Sequence, residues 1–296
     1  MTDARVDGVH VHAEPDRLVT AATDDAGFYA SVAETLIRPA DRLVVDVGCG
    51  GGGMALAMAR RLAPGGRVVA MDPHGDILDA ARAHLREGLG DPEYGPRVDF
   101  VTAALEDGVR GLREAISGDP DLIWASAVIH HVGDQQGAVD TLASLLAIGG
   151  RLAIQESGLR RRHLPWDVGV GAPGLEARLE AAAGQWYTAM RGRIDTHKPL
   201  PYGWTTALHR AGLVTVTERT LLIELPAPLS TIARRHALDW LAGRVDHAAS
   251  AAALSDADLA AWERLLNPDD PEWLGHREDM HLLEARTVQT GVRTRA

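Results

Sequence analysis

Between Leu43 and Leu56 the chain reads LVVDVGCGGGGMAL. Leu43, Val44, Val45 and Val47, with Asp46 among them, form a short apolar, β-branched run of the kind that makes a buried strand. Gly48, Cys49 and Gly50 to Gly53 then form a turn, and Met54 to Arg61 are helix formers. Glycines at such a turn let the backbone take positive φ. They also bring its N–H groups and the positive end of the next helix against a polar ligand. The alternative, a tight connection with no ligand, has to carry the chain entropy of a glycine-rich turn with nothing approaching it closely.

The ligand class turns on one carboxylate. Gly48, Gly50 and Gly53 satisfy the G-x-G-x-x-G spacing of dinucleotide-binding folds, a weak signal alone. Asp46, two positions before the first glycine, suits a cationic amino group and repels a pyrophosphate. With Asp46 included, VVDVGCGGG resembles the first motif of class I S-adenosylmethionine (AdoMet)-dependent methyltransferases.

The following segments extend the pattern. A strand over Arg67 to Met71 ends in Asp72 and Pro73, and Asp76 to Glu87 follows as a helix with Ile77, Leu78, Ala81 and Leu85 on one stripe. Asp72 stands about 20 residues past the glycines, where an acid accepts both hydroxyls of an adenosine ribose; capping the next helix is its other use. Val98 to Val101 forms a third strand. In the resembled family the residues after it meet the adenine, usually through an acid; here that position holds Ala104. Backbone contacts from Ala104 and Leu105 are what the resemblance then implies, with Glu106 or Asp107 as substitutes one turn later.

DLIWASAVIHHVGD gives a fourth strand, Asp121 to Ala125, and a helix from Gln135 to Ala147 capped by Asp134. LLAIGGRLAIQES gives a fifth strand, Arg151 to Gln155, closed by Glu156. Both stretches resemble the fourth and fifth strand motifs of small-molecule methyltransferases. On that resemblance AdoMet is the methyl donor. Tyr29, Asp46, Gly48, Cys49, Gly50, Asp72, Pro73, Ala104, Leu105 and Ala125 are the residues expected to bind it, Tyr29 from a helix over Asp24 to Ile37.

Methyl transfer from a sulfonium is an in-line displacement, so its chief demand is to hold the nucleophile in line. A hydroxyl acceptor also needs a base, and histidine serves near neutral pH. His130 and Glu156 are expected in one pocket as base and orienting carboxylate. HHV with an acid after the fifth strand is similar to sugar O-methyltransferases of natural-product pathways. An HH pair also occurs in quinone C-methyltransferases, where a histidine can simply line the cleft. His131 is a weaker candidate, because adjacent side chains seldom both reach one pocket.

The implied fold is α/β: a Rossmann-like seven-stranded methyltransferase sheet, last strand antiparallel, with helical cap insertions. The expected layout is a flexible segment over 1–24, an AdoMet-binding core over 25–157, a cap insertion over 158–202, core again over 203–225, a helical insertion over 226–280, and a last strand and tail over 281–296. Leu175, Leu179, Ala182, Trp186 and Met190 recur at helical spacing. Ser230 to Arg244 and Ser255 to Leu266 read as inserted helices, and Leu282 to Val292 as the last strand. Arg160, Arg161, Arg162 and His163 read as a solvated loop, with an anionic-substrate site as the alternative. Six of the seven Trp follow residue 160, so these inserts are expected to wall the acceptor pocket.

Composition bounds the rest. The net charge of −11 opposes a nucleic-acid partner. No apolar run reaches the roughly 18 to 20 residues that span a bilayer, and the first residues lack a signal-peptide core, so a soluble, cytoplasmic protein is expected with no membrane partner. The single cysteine, Cys49, excludes internal disulfides and multi-cysteine metal sites. His10, His12 and Glu14 spell H-x-H-x-E, yet a solvated tail is the commoner fate of such residues, and no metal is expected. The partner is a small-molecule acceptor, and self-association stays open. Two other readings remain: an NAD-linked oxidoreductase, supported by the glycine spacing and Asp72 but opposed by Asp46 and HHV, and a non-catalytic AdoMet-binding protein.

Overall fold

The computed structural model describes residues 14–89, 97–251 and 253–294. His10 and His12 lie outside the described residues. Seven strands form one sheet: β1 (Leu43–Val47), β2 (Arg67–Asp72), β3 (Arg97–Thr102), β4 (Leu122–Ser126), β5 (Arg151–Arg162), β6 (Val214–Leu225) and β7 (Leu282–Val292). Their order is β3-β2-β1-β4-β5-β7-β6. The first five run parallel, with Val47 opposite both Met71 and Ala125, and Ser126 opposite Gln155. Reciprocal bonds set β7 antiparallel to β5: Gly149 N donates to Arg293 O at 2.7 Å, and Arg293 N to Gly150 O at 2.9 Å. Val44, Val45, Leu122, Ile123, Leu152 and Ile154 are wholly buried, as strands covered on both faces must be.

Ten α-helices are described: α1 (Pro15–Asp24), α2 (Ala26–Leu36), α3 (Gly53–Arg61), α4 (Gly75–Leu89), α5 (Gly108–Ile116), α6 (Gln135–Leu145), α7 (Leu175–Gly192), α8 (Trp204–Arg210), α9 (Thr231–Ser250) and α10 (Asp256–Leu266). The four buried residues of α4 are Ile77, Leu78, Ala81 and Leu85, the stripe read from the sequence. Asp134 caps α6 by accepting from Gly137 N, and Ser255 caps α10 by accepting from Asp258 N.

Two expectations are corrected. Of the segment to residue 24 expected to be flexible, the described part from Pro15 to Asp24 is helix α1, joined at Asp25 to α2, which is the helix expected over Asp24 to Ile37. Pro15 at the first turn suits a helix start, and Arg17 N and Leu18 N both donate to Glu14 O. The basic run after Gly158 is not a solvated loop. Arg160 to Arg162 continue β5 and their charges are met: Arg161 pairs with Glu284 at 3.1 Å, Arg160 approaches Glu180 at 3.5 Å, and Arg162 donates to Glu176 O.

The chain forms two compact units, one holding the residues through Ser157, Lys198–Arg219 and Thr287 onward, the other Gly158–His197 and Thr220–Arg286. In the second, Leu179, Leu241, Trp262, Leu265 and Met280 build a core of their own. His163 is fully buried there; its amide and that of Leu164 donate to the Glu176 carboxylate, and its ring meets Trp240.

Candidate active site

In an open α/β sheet, ligands bind outside the carboxyl ends of the strands where the strand order reverses. Here that point lies between β1 and β4. After β1 the chain turns through Gly48 (φ 65°), Gly50 (φ 50°) and Gly52 (φ 78°), and Leu56 N donates to Gly52 O as α3 begins. Cys49 N donates to Met71 O at 2.9 Å, tying the turn to β2.

The protein itself approaches most of these glycines. A β-carbon at Gly51 would stand 2.3 Å from Leu18 O of α1, at Gly52 2.5 Å from Leu85 of α4, and at Gly53 2.6 Å from the Tyr29 ring. At Gly48 it would stand 2.6 Å from Val128. Gly50 is different: its nearest neighbour would be Leu18 Cδ2 at 3.9 Å, and like Gly48 it is half-buried. Much of the glycine run is therefore explained by close packing inside the fold. Among these glycines, the space beside Gly50 is the part that the protein leaves open.

Beside that opening lie two buried carboxylates, Asp46 and Asp72. Asp46 is 2% exposed and its Oδ2 has no hydrogen-bond partner. Burial, with repulsion from Asp72 adding to it against a bond from the Ala55 amide, pushes its pKa up to about 7. Asp72 Oδ2 accepts from Gly50 N at 3.4 Å, and its Oδ1 accepts from His74 N at 3.1 Å and lies 3.2 Å from His74 Nδ1. A buried, orphaned carboxylate oxygen next to a second carboxylate suits a cationic amino group, and Asp72 keeps lone pairs for a diol. Both features fit AdoMet. Burial, and then Asp46 and Asp72, also push the Cys49 thiol well above its usual pKa, so Cys49 packs as a neutral side chain.

The other expected binding residues divide. Pro73 is exposed at the end of β2, while Leu105 is buried in the core. Ala104 N donates to Asp107 Oδ2 at 2.8 Å, so the Asp107 carboxylate, a candidate for the acid that position 104 lacks, folds back on the backbone of Ala104. Tyr29 lies against Gly53 at the start of α3. Ala125 is wholly buried between Val47 and Ile154 and has no surface for a ligand; the contacts available at that strand end begin at Ser126.

After β4, Ala127 takes a left-handed φ of 53° and the chain wraps around Glu156. Val128 N and Ile129 N donate to Glu156 Oε1 at 2.8 and 2.6 Å, and His130 Nδ1 lies 2.7 Å from Glu156 Oε2. The Glu156 side chain is 1% exposed, that of His130 26%. A carboxylate taking two amides on one oxygen is an acceptor, so His130 Nδ1 carries hydrogen and Nε2 the lone pair. The His131 ring lies against that of His130, with centroids 4.0 Å apart. Leu18, His74, His84 and Val128 were not read from the sequence; His84 Nδ1 lies 2.6 Å from Gly51 O. Only His74, two residues after Asp72, carries a local signal, that of an Asx turn.

Residues 45–152 match the family described as a methyltransferase domain. Over this segment the chain is similar to a methyltransferase domain.

Curated relatives match about half of the chain. A trans-aconitate 2-methyltransferase of Methylobacterium radiotolerans is 33% identical over 161 residues, 50% of this chain and 55% of its own. A ubiquinone biosynthesis O-methyltransferase of Xanthomonas axonopodis pv. citri is 34% identical over 143 residues, 48% of this chain and 54% of its own. This chain thus spans about half the length of the curated relatives it matches. A solved O-methyltransferase family protein of Burkholderia thailandensis superposes with a TM-score of 0.49 at 17% identity, over 95% of this chain and 58% of that one. Among the described residues of the methyltransferase domain and the rest of the chain, no group of three or more His, Cys, Asp or Glu is placed to hold a metal ion. No described helix is long and apolar enough to cross a membrane.

Proposed function

We propose that the chain is an AdoMet-dependent methyltransferase that methylates a hydroxyl of a small-molecule acceptor, of secondary-metabolite type, with His130 as the base. The observation that carries this reading is the pair of His130, after β4, with Glu156 of β5, together with the Val128 side chain of the His130 loop against Gly48 in the glycine turn. AdoMet would supply a methyl group on a cationic sulfur, open to in-line attack. Asp46 would meet its ammonium, Asp72 its ribose hydroxyls, and the backbone of Gly48 to Gly50 and of Ala104 and Leu105 the remaining polar edges.

His130 Nε2 would take the proton of the acceptor hydroxyl as that oxygen becomes the nucleophile, and the buried Glu156 carboxylate would stabilise the imidazolium that forms. Oxygen is favoured over carbon because a histidine oriented by a carboxylate is the device that deprotonating a hydroxyl requires. That one relative is named an O-methyltransferase supports the same choice. Calorimetric titration with AdoMet and with NAD, followed by methylation assays over a panel of hydroxylated acceptors, tests the proposal. AdoMet binding and turnover lost in His130→Ala are expected; heat with NAD alone ends it.

A further inference from the structure

Val128 is held from two sides. Its amide donates to Glu156 Oε1 at 2.8 Å, and its side chain faces Gly48, where a β-carbon would come within 2.6 Å of Cγ2 and 2.9 Å of Cβ. Ala127 sets this up: at φ 53°, with its own N–H given to Gln155 O at 3.0 Å, it turns the chain so that two successive amides point at one carboxylate oxygen. One residue therefore joins the turn after β1 to the turn after β4, on strands that pair at Val47 and Ala125. Half-buried and packed against the core of the sheet, Val128 has a β-branched side chain with little rotamer freedom. Gly48 is confined by the same contact, since any larger residue there needs both a left-handed φ and the space Val128 fills.

We propose that Val128 is a positioning residue that fixes the separation between the glycine turn and His130. This rests on the methyltransferase reading above, in which the donor lies at that turn and His130 acts on the acceptor. A misplacement of about 1 Å in such an arrangement costs on the order of 10²-fold in rate.

The test compares Val128→Ala, Val128→Thr, Gly48→Ala and the double variant Gly48→Ala/Val128→Ala in the full chain. Val128→Ala is expected to lower kcat by on the order of 10- to 100-fold. Its AdoMet Kd and acceptor KM should stay within about twofold, and the His130 ring ¹⁵N signals should shift. Val128→Thr keeps the branched shape and should recover most of the rate. Gly48→Ala should lower Tm sharply, and adding Val128→Ala should return part of that loss because it removes Cγ2, the atom that would stand nearest.

Wild-type kcat in Val128→Ala overturns the proposal, as does a parallel loss of kcat, AdoMet affinity and Tm that Thr does not repair. Additive Tm changes for the Gly48 and Val128 substitutions overturn it too. A wild-type chain that neither binds AdoMet nor methylates any acceptor ends the methyltransferase reading instead. In that case the Tm cycle and the His130 signals still decide whether Val128 couples the two turns.

Discussion

His130 and Glu156, 26 residues apart, meet with Nδ1 2.7 Å from Oε2 while the other carboxylate oxygen holds the two backbone amides before the histidine. One buried side chain thus shapes the loop and selects the tautomer of the ring that the loop carries. Loop and ring respond together when it is removed and separately when it is only neutralised.

That separation makes Glu156→Gln the informative variant. The amide oxygen must stay where Val128 N and Ile129 N donate, which leaves the NH₂ facing His130 Nδ1. His130 must then accept at Nδ1 and carry its hydrogen on Nε2, so the lone pair needed by a base is withdrawn. We expect a near-native Tm with kcat reduced on the order of 10²- to 10⁴-fold. Glu156→Ala, which also abandons the two amides, should lower both. A Glu156→Gln enzyme with wild-type kcat removes His130 from proton transfer.

Asp46 gives the fold a defined pH dependence. Its carboxyl ionises near 3.8 in the unfolded chain and at about 7 in the folded one. Between these values the folded state binds more protons. The contribution of Asp46 to stability therefore falls as pH rises from about 4 to 7 and is level above, a loss on the order of 4 kcal/mol. Asp46→Asn should flatten that part of the profile, leave stability below pH 4 little changed, and weaken AdoMet binding at pH 8. Urea denaturation across pH checks it; parallel profiles for the two proteins dispose of the buried charge.

Asp72 sits at the end of β2 with the Gly50 amide and His74 on its oxygens. Asp72→Ala should weaken AdoMet affinity by about 10- to 100-fold, the worth of a charge-assisted bidentate contact. Titration calorimetry reads this directly, and an unchanged Kd takes Asp72 out of the nucleoside site.

What the sequence revealed follows from where the information lies. β1 and β4 were legible because strands buried on both faces must be nearly continuous apolar runs, and the cap of α6 because Asp134 acts within three residues of itself. His130 and Glu156 could be paired because His130 follows β4 and Glu156 lies in the adjacent parallel β5, one residue past the partner of Ser126. The continuation of β5 through Arg160 to Arg162 was hidden because the compensating Glu180 and Glu284 come from distant α7 and β7. The contact of α1 with the glycine turn was hidden for a related reason: Leu18 presents its backbone carbonyl to Gly51, and a backbone contact leaves no mark on residue type.

The last prediction concerns a pair the sequence did not signal. Arg151, opening β5, and Asp41, before β1, are each 4% exposed in their side chains. The guanidinium grips both carboxylate oxygens, at 3.0 and 2.6 Å, and donates to Leu36 O at 2.6 Å, while Arg38 N donates to Asp41. Removing one partner strands a buried charge; removing both does not. Asp41→Leu should therefore destabilise by about 3–5 kcal/mol, and Arg151→Met alone by a similar amount. The double variant Asp41→Leu/Arg151→Met should cost markedly less than the sum of the single changes, because no unpaired charge is left behind. Urea unfolding of the four proteins forms the cycle. Additive losses would mean that the two groups act independently, and that the bidentate geometry contributes no coupling to the fold.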